Sequence, residues 1–271
     1  MMGASREALA AARESLNSLT DNTSVDARKL ADELAAVTAL LDREVSLRRV
    51  LTDPAQPGEA KAELVGRLLS GQVDGETVDL VSGMVRSRWS SSRGIADAAE
   101  ELADIADLIA AERAGTLEDV EDEIFRFGRT VASSSELRAA LTSRTAKSSA
   151  KSELLHSLLG GKAQPATERL VTRLVTRPRG RSLENGLEHL SKLAAERRDR
   201  SVAVVTSAVP LTDRQRERLA AALATINGRQ VHLNLDVDPS VVGGIRVRIG
   251  DEEINGSIAD RLEDAQRRMA G

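Results

Sequence analysis

Between residues 25 and 115 apolar side chains recur at spacings of three and four, the period of helices with one buried face. Leu30, Leu34, Val37 and Leu41 form the clearest stripe; Ser24 is placed to cap this helix, with Asp26 in its first turn. An amphipathic stretch over residues 5–19 predicts a helix before it. Asp53-Pro54 and Pro57-Gly58 then punctuate the chain. Leu64, Leu68 and Leu69 make the next stripe, which Gly71 is placed to end, and Val78, Val81, Met84 and Val85 make another. A longer one runs through Ile95, Leu102, Ile105, Leu108 and Ile109 to near Gly115. No strand pattern interrupts these stripes, so residues 1–115 read as a compact bundle of short helices.

The same order then returns. Residues 60–71 align without a gap on residues 150–161, an offset of 90, with seven of twelve positions identical. Leu47-Arg48 and Leu51-Thr52 recur as Leu137-Arg138 and Leu141-Thr142, and Val81 and Val85 recur as Val171 and Val175. Further on the offset shrinks, since Leu102 matches Leu190 and residues 110–113 match residues 194–197. The total slip of six residues corresponds to a shortened loop and about one missing helical turn. A shared helical period does not place Lys, Glu and Gly in one ungapped run, so the pattern reads as an internal duplication. The second copy, over residues 116–200, lacks a counterpart of the first helix after Gly115. Thr116 is placed to cap its opening helix, residues 117–130, and the serines at 133–135 cap the helix that starts near Glu136.

From Ser201 the texture changes. Residues 201–206 are β-branched and short, which predicts a strand. Thr212-Asp-Arg-Gln215 forms a capping box that opens a helix over 213–226. Val231–Val237 alternates as a second strand and residues 244–249 as a third, with a turn at 250–253, a short return from Ile254 and a last helix over 258–269. The fold class that emerges is mostly α. Two tandem small helical bundles, the second a partial duplicate, precede a small α+β module: 1–115, 116–200 and 201–271.

Composition narrows the chemistry. The chain has no cysteine, which excludes disulfides and thiolate metal sites. No window approaches eighteen uninterrupted apolar residues, so direct membrane insertion is not expected, and the first nineteen residues carry no signal core. Trp89, Phe125 and Phe127 are the whole aromatic set, few platforms for stacking on bases. The charges are segregated: from Asp97 to Glu123 nearly all are acidic, whereas residues 126–200 are basic on balance, with Arg169, Arg173, Arg177, Arg179 and Arg181 close together. That basic segment supports an alternative reading as a nucleic-acid-binding helical protein. The plainer reading is a solvated helix face or contact with an acidic partner surface.

The motifs carry little catalysis. Gly243-Gly244 and Gly250 bracket a strand, and no Lys-Ser/Thr follows them, so they shape turns instead of cradling a phosphate. Gly256, in Asn255-Gly256-Ser257, marks a further turn. His156, His189 and His232 lack metal-ligand spacing, and His156 and His189 read as helix-surface residues. No hydroxyl has a partnered base, and no carboxylate stands isolated in an apolar run where burial would raise its pKa. No catalytic residue, metal site or cofactor is expected. Trp89 reads equally as an interface anchor or as packing at the end of its own bundle.

The sequence Thr206-Ser-Ala-Val-Pro-Leu-Thr212, then Asp238-Pro239, Gly243-Gly244, Gly250, Gly256-Ser257 and Arg261-Leu262, closely resembles the C-terminal signature of delta subunits of bacterial F-type ATP synthases. These are relatives of the mitochondrial oligomycin-sensitivity-conferring protein. Ser5–Ala12 and the run Leu47-Arg48…Leu51-Thr-Asp-Pro54 are similar to the family's N-terminal bundle. This chain has Asn255 where the family usually carries aspartate, and its first helix lacks the usual aromatic residues. Its extra length resembles the long actinobacterial form.

The resemblance implies a non-catalytic stator subunit of the peripheral stalk, peripheral on the cytoplasmic face of the bacterial plasma membrane. It implies as partners the alpha subunits of the catalytic head, held by the first bundle, and a stalk b subunit, separate or fused, held by the C-terminal module. It also implies a groove between the first and fifth helices, for which Leu9, Leu16, Val81, Met84, Val85 and Trp89 are the candidate partner-binding residues.

Overall fold

The computed structural model describes residues 3–21, 24–198, 201–227, 231–238, 244–249 and 252–255. The chain divides into two compact units, Met1–Arg197 and Arg198–Gly271. The first holds eleven helices among its described residues. They are α1 (Gly3–Thr20), α2 (Ala27–Arg43), α3 (Val45–Thr52), α4 (Gly58–Leu69), α5 (Gly75–Arg86) and α6 (Ser92–Arg113). There follow α7 (Leu117–Ser133), α8 (Ser135–Thr142), α9 (Ser148–Leu159), α10 (Pro165–Thr176) and α11 (Leu183–Arg198).

Local chemistry sets the helix ends. Asp26, not Ser24, caps α2: its carboxylate accepts the backbone N–H of Arg28 at 2.9 Å and of Lys29 at 3.1 Å. Thr116 stands at the cap position of α7, but its hydroxyl donates back to the Ala111 carbonyl, at 3.3 Å, and caps nothing. Ser134 does cap α8, accepting from Leu137 N at 3.2 Å. Gly71 and Gly161, 90 residues apart, follow α4 and α9 at φ of 74° and 67°, the left-handed conformation that favours glycine after a helix.

The duplication extends to several polar contacts. Thr77 donates its hydroxyl to Glu33 at 2.5 Å, and Thr167 to Glu123 at 2.6 Å. Arg48 donates to the Leu41 carbonyl, and Arg138 to that of Val131. Lys61 and Lys151 are both buried. Each pair of partners lies 90 residues from its copy.

Adding 90 to α1 lands inside α6, and α6 packs on α10 as α1 packs on α5. The second copy is therefore not short of a first helix. Its first helix is α6, which also closes the first copy, and the repeats overlap by one helix. The six-residue slip is the difference between α6, with 22 residues, and α11, with 16. The two helical blocks expected over 1–115 and 116–200 share one hydrophobic core. Its centre is α6, buried almost all round, whose small Ala96, Ala99, Ala103 and Ala106 let α2 pack along its length. Such a helix has almost no solvated face, because its acids too are covered, which is why periodicity describes it poorly.

The second unit holds β1 (Ser201–Ser207), α12 (Asp213–Asn227), β2 (Val231–Val237), β3 (Ile245–Ile249) and β4 (Glu252–Asn255). The sheet order is β2-β1-β3-β4, with β1 and β2 parallel and the other pairs antiparallel. Val205 stands opposite Val247, and with Leu223 of α12 and Leu233 these form the small core. The capping box closes as the sequence predicts, with Thr212 N donating to Gln215 Oε1 at 2.9 Å and Gln215 N to Thr212 Oγ1 at 3.4 Å. Gly244 enters β3 at a φ of 83°. The expected turn residues Gly243, Gly250 and Gly256, and the expected last helix, lie outside the described residues.

Candidate partner-binding surfaces

The groove candidates between α1 and α5 sit in the core. Leu16, Val81, Met84, Val85 and Trp89 are all buried, and Leu9 is partly buried and packed against them. Trp89 packs at the end of its own bundle, where its indole N–H donates to the Met84 carbonyl at 2.8 Å, beside the backbone N–H of Ser87 at the end of α5. The groove surface open to another molecule is set by different residues. Ala10 on α1 and Asp79 and Gly83 on α5 are exposed, and they stand 90 residues before Glu100, Arg169 and Arg173. A Cβ at Gly83 would meet nothing within 4 Å.

The equivalent face of the second copy, between α6 and α10, is filled by ions. Arg173 donates to Asp104 at 2.6 Å and to Asp107 at 2.5 Å. Arg169 bridges Asp107, at 2.8 Å, and Asp32 of α2, at 2.6 Å. Arg179 lies 3.1 Å from Glu100, 3.0 Å from Asp97 and 2.9 Å from Asp42, and Arg181 also meets Glu100. On the other side of α6, Arg13 donates to Glu101 at 2.7 Å, His189 lies 3.3 Å from it, and Arg197 holds Glu112. The acidic and basic stretches that stand apart in sequence therefore face each other inside the fold. The arginines from 169 to 181 form neither a solvated face nor an open basic patch, apart from Arg177, which donates to the Ala35 carbonyl at 3.2 Å.

Burial competes with charge pairing at two of these acids. It pushes Asp104 up to about 7, and the neighbouring Glu100 and Asp107 charges add to this, against the pull of Arg173. Burial acts in the same sense on Glu101. There the hydrogen bond from His189 and the charge of Arg13 win, and they hold its carboxyl below the usual range. A buried carboxylate with a raised pKa thus exists, contrary to the sequence expectation, because α6 carries its acids on a helix covered from several sides. Asp104 is paired with Arg173 and borders a gap too small for a substrate. The larger hollow, about 500 Å3, is an open cleft between α2 and α10, bordered by Arg28, Asp32, Ala35, Arg169, Thr172 and Arg177.

The other sequence candidates remain apart. His156 sits on Glu168 at 2.7 Å and His189 is on α11, while the His232 side chain lies outside the described residues. Among the described residues no group of His, Cys, Asp and Glu could hold a metal ion, and no helix is long and apolar enough to cross a membrane.

Residues 106–269 match the family model of the ATP synthase delta (OSCP) subunit. The chain belongs to that family. It is 76% identical to the ATP synthase subunit delta of Streptomyces griseus over 271 residues, covering all of both chains. It is 74% identical to that of Streptomyces coelicolor over 270 residues, covering 100% of this chain and 98% of the relative. With the delta subunit of Thermobifida fusca the identity is 48% over 271 residues, again covering both chains in full. The family is a component of the ATP synthase peripheral stalk. Its matched segment begins inside α6, so it takes in the second helical copy from the later part of its first helix, together with most of the C-terminal unit, and residues 1–105 lie outside it.

Proposed function

We propose that this chain is a non-catalytic coupling subunit that holds the catalytic head of an F-type ATP synthase against rotation. The helical unit would bind N-terminal helices of alpha subunits, and the C-terminal unit the end of a b-type stalk, on the cytoplasmic face of the plasma membrane. The observation that carries the reading is the full-length similarity to delta subunits, with the family match running through both units. The fold suits this work. One core shared through α6 makes the two helical copies a single stiff body, and torque is resisted by stiff contacts without chemistry.

The head would sit on the α1–α5 groove of the first copy. Asp79 and Gly83 there take the places of Arg169 and Arg173, so no ionic plug fills it. Gly83→Arg tests this, because its Cβ points to open space and the substitution favours the helix. The variant should fold and keep stalk binding while it loses head binding. Proton-coupled ATP synthesis by membranes stripped of the subunit should then return on adding back the unaltered chain but not the variant. Unchanged head binding would move the clamp to the second copy, and the nucleic-acid reading loses Arg169, Arg173, Arg179 and Arg181, which are ion-paired within the fold.

A further inference from the structure

The open cleft of about 500 Å3 between α2 and α10 is separate from the α1–α5 groove, and four arginines and two carboxylates line it. Most of these charges are spent on each other or on the core. Arg169 holds Asp32 at 2.6 Å and Asp107 at 2.8 Å, and Arg173 holds Asp104 and Asp107. Glu168 meets the His156 ring at 2.7 Å. Arg28 and Arg177 are left over. Both are exposed and neither has an ion pair among the described residues, since Arg177 donates to the neutral Ala35 carbonyl.

The places of these two arginines decide what fits between them. Arg28 and Ala35 are seven residues apart on α2, about 10 Å along its axis, so the two guanidiniums mark the ends of the cleft. Between them the Asp32 side chain is 60% exposed, and Ala35 and Thr172 are small. A nucleic-acid backbone needs an unbroken row of cations, which Asp32 interrupts. Two carboxylates about 10 Å apart fit better, and a helix with Asp or Glu at positions i and i+7 presents that spacing on one face. The α1–α5 groove has the opposite character, because Asp79 and Gly83 stand there in place of Arg169 and Arg173. One helix does not match both sites, so the cleft is not a second seat for the head's alpha helices.

We propose that the α2–α10 cleft clamps an acidic helix of the b-type stalk, with one carboxylate on Arg28 and another, seven residues along, on Arg177. The inference rests on the peripheral-stalk reading above, and it gives the stalk a second hold besides the C-terminal unit.

A photo-crosslinking amino acid at position 28 of the full chain, within the purified ATP synthase, tests it. The crosslink should fall on the stalk helix, within a turn of an acid that has a second acid seven residues away. Arg28→Glu should leave the melting temperature of the chain unchanged, because the residue is exposed and an acid suits the first turn of α2. Its affinity for synthase stripped of this chain should fall about tenfold, and what remains should depend less on salt. Replacing the crosslinked acid of the stalk by arginine should then restore binding of the Arg28→Glu chain, which a merely structural role for Arg28 does not allow. A crosslink to an alpha subunit, to a second copy of the chain or to a segment without such an acid pair overturns the proposal. So does the absence of a crosslink in a complex that contains the chain, or unchanged affinity of the variant; with the unaltered chain still bound, these results leave the stalk reading standing. If the unaltered chain does not bind the stripped synthase at all, the stalk reading falls too.

Discussion

Arg173 of α10 closes on Asp104 of α6 at 2.6 Å, joining the basic stretch of the sequence to the acidic one. With Asp107 on the same guanidinium, it pins the second copy to the helix that the first copy shares. A buried pair of this kind is weak evidence of net stability, since desolvation offsets much of the attraction. Its clearer consequences are orientation and pH dependence.

The folded-state pKa of Asp104, about 7, lies above the ordinary 3.8, so folding takes up a proton between about pH 4 and pH 7. Stability from this group is present below that window and is lost as pH rises through it, on the order of 2–4 kcal/mol at most. Asp104→Asn keeps an oxygen for Arg173 and removes the titration. Denaturant melts from pH 4.5 to 8 should show a flatter profile for the variant, and parallel profiles would refute the assignment.

The two threonine–glutamate bonds should be equivalent. Thr77→Val and Thr167→Val each leave a half-buried carboxylate short of a donor, which costs about 1–3 kcal/mol. In a unit of this size, that lowers the melting temperature by roughly 2–4 °C per kcal/mol. Because the copies share one core, both variants should melt in one transition. Two separate transitions would show that the copies unfold independently.

Two glycines separate packing from propensity. At Gly186 on α11, a Cβ would lie 2.3 Å from Leu174 Cδ1, so Gly186→Ala forces the buried Leu174 side chain or the helices beside it to shift and should destabilise by about 1–3 kcal/mol. At Gly83 the space is open, and Gly83→Ala should stabilise by about 0.5–1 kcal/mol. Thermal melts of the pair check the sign of each.

Removing residues 1–115 should not release a folded second copy. The cut takes away α6, whose Leu102, Ile105, Leu108 and Ile109 are core. Far-UV circular dichroism should show the remaining helical segment without cooperative unfolding. A cut before Ser92, which retains α6, should preserve more of it. Equal cooperativity in the two fragments would argue against the shared helix.

Much of this architecture was legible in the chain. Stripes such as Leu30–Leu41 depend on local period, turns such as Gly71 and Gly161 on backbone freedom, and the capping box at Thr212 on groups three residues apart. The duplication was visible for the same reason, since equal local chemistry recurs at a constant offset. The family signature lay in the tail.

What the sequence could not contain was which faces meet. Leu16, Val81 and Met84 read as a groove because a stripe looks the same whether its cover is its own chain or another molecule; the tertiary structure covers them with the chain itself. The charge blocks at 97–123 and 126–200 looked like two surfaces, yet Asp104, Asp107 and Glu100 neutralise Arg169, Arg173 and Arg181 across more than sixty residues of chain. The role of α6 as the last helix of one copy and the first of the next was likewise decided only in three dimensions. Local period and backbone preference are written residue by residue, whereas burial and charge pairing depend on what the rest of the chain brings alongside.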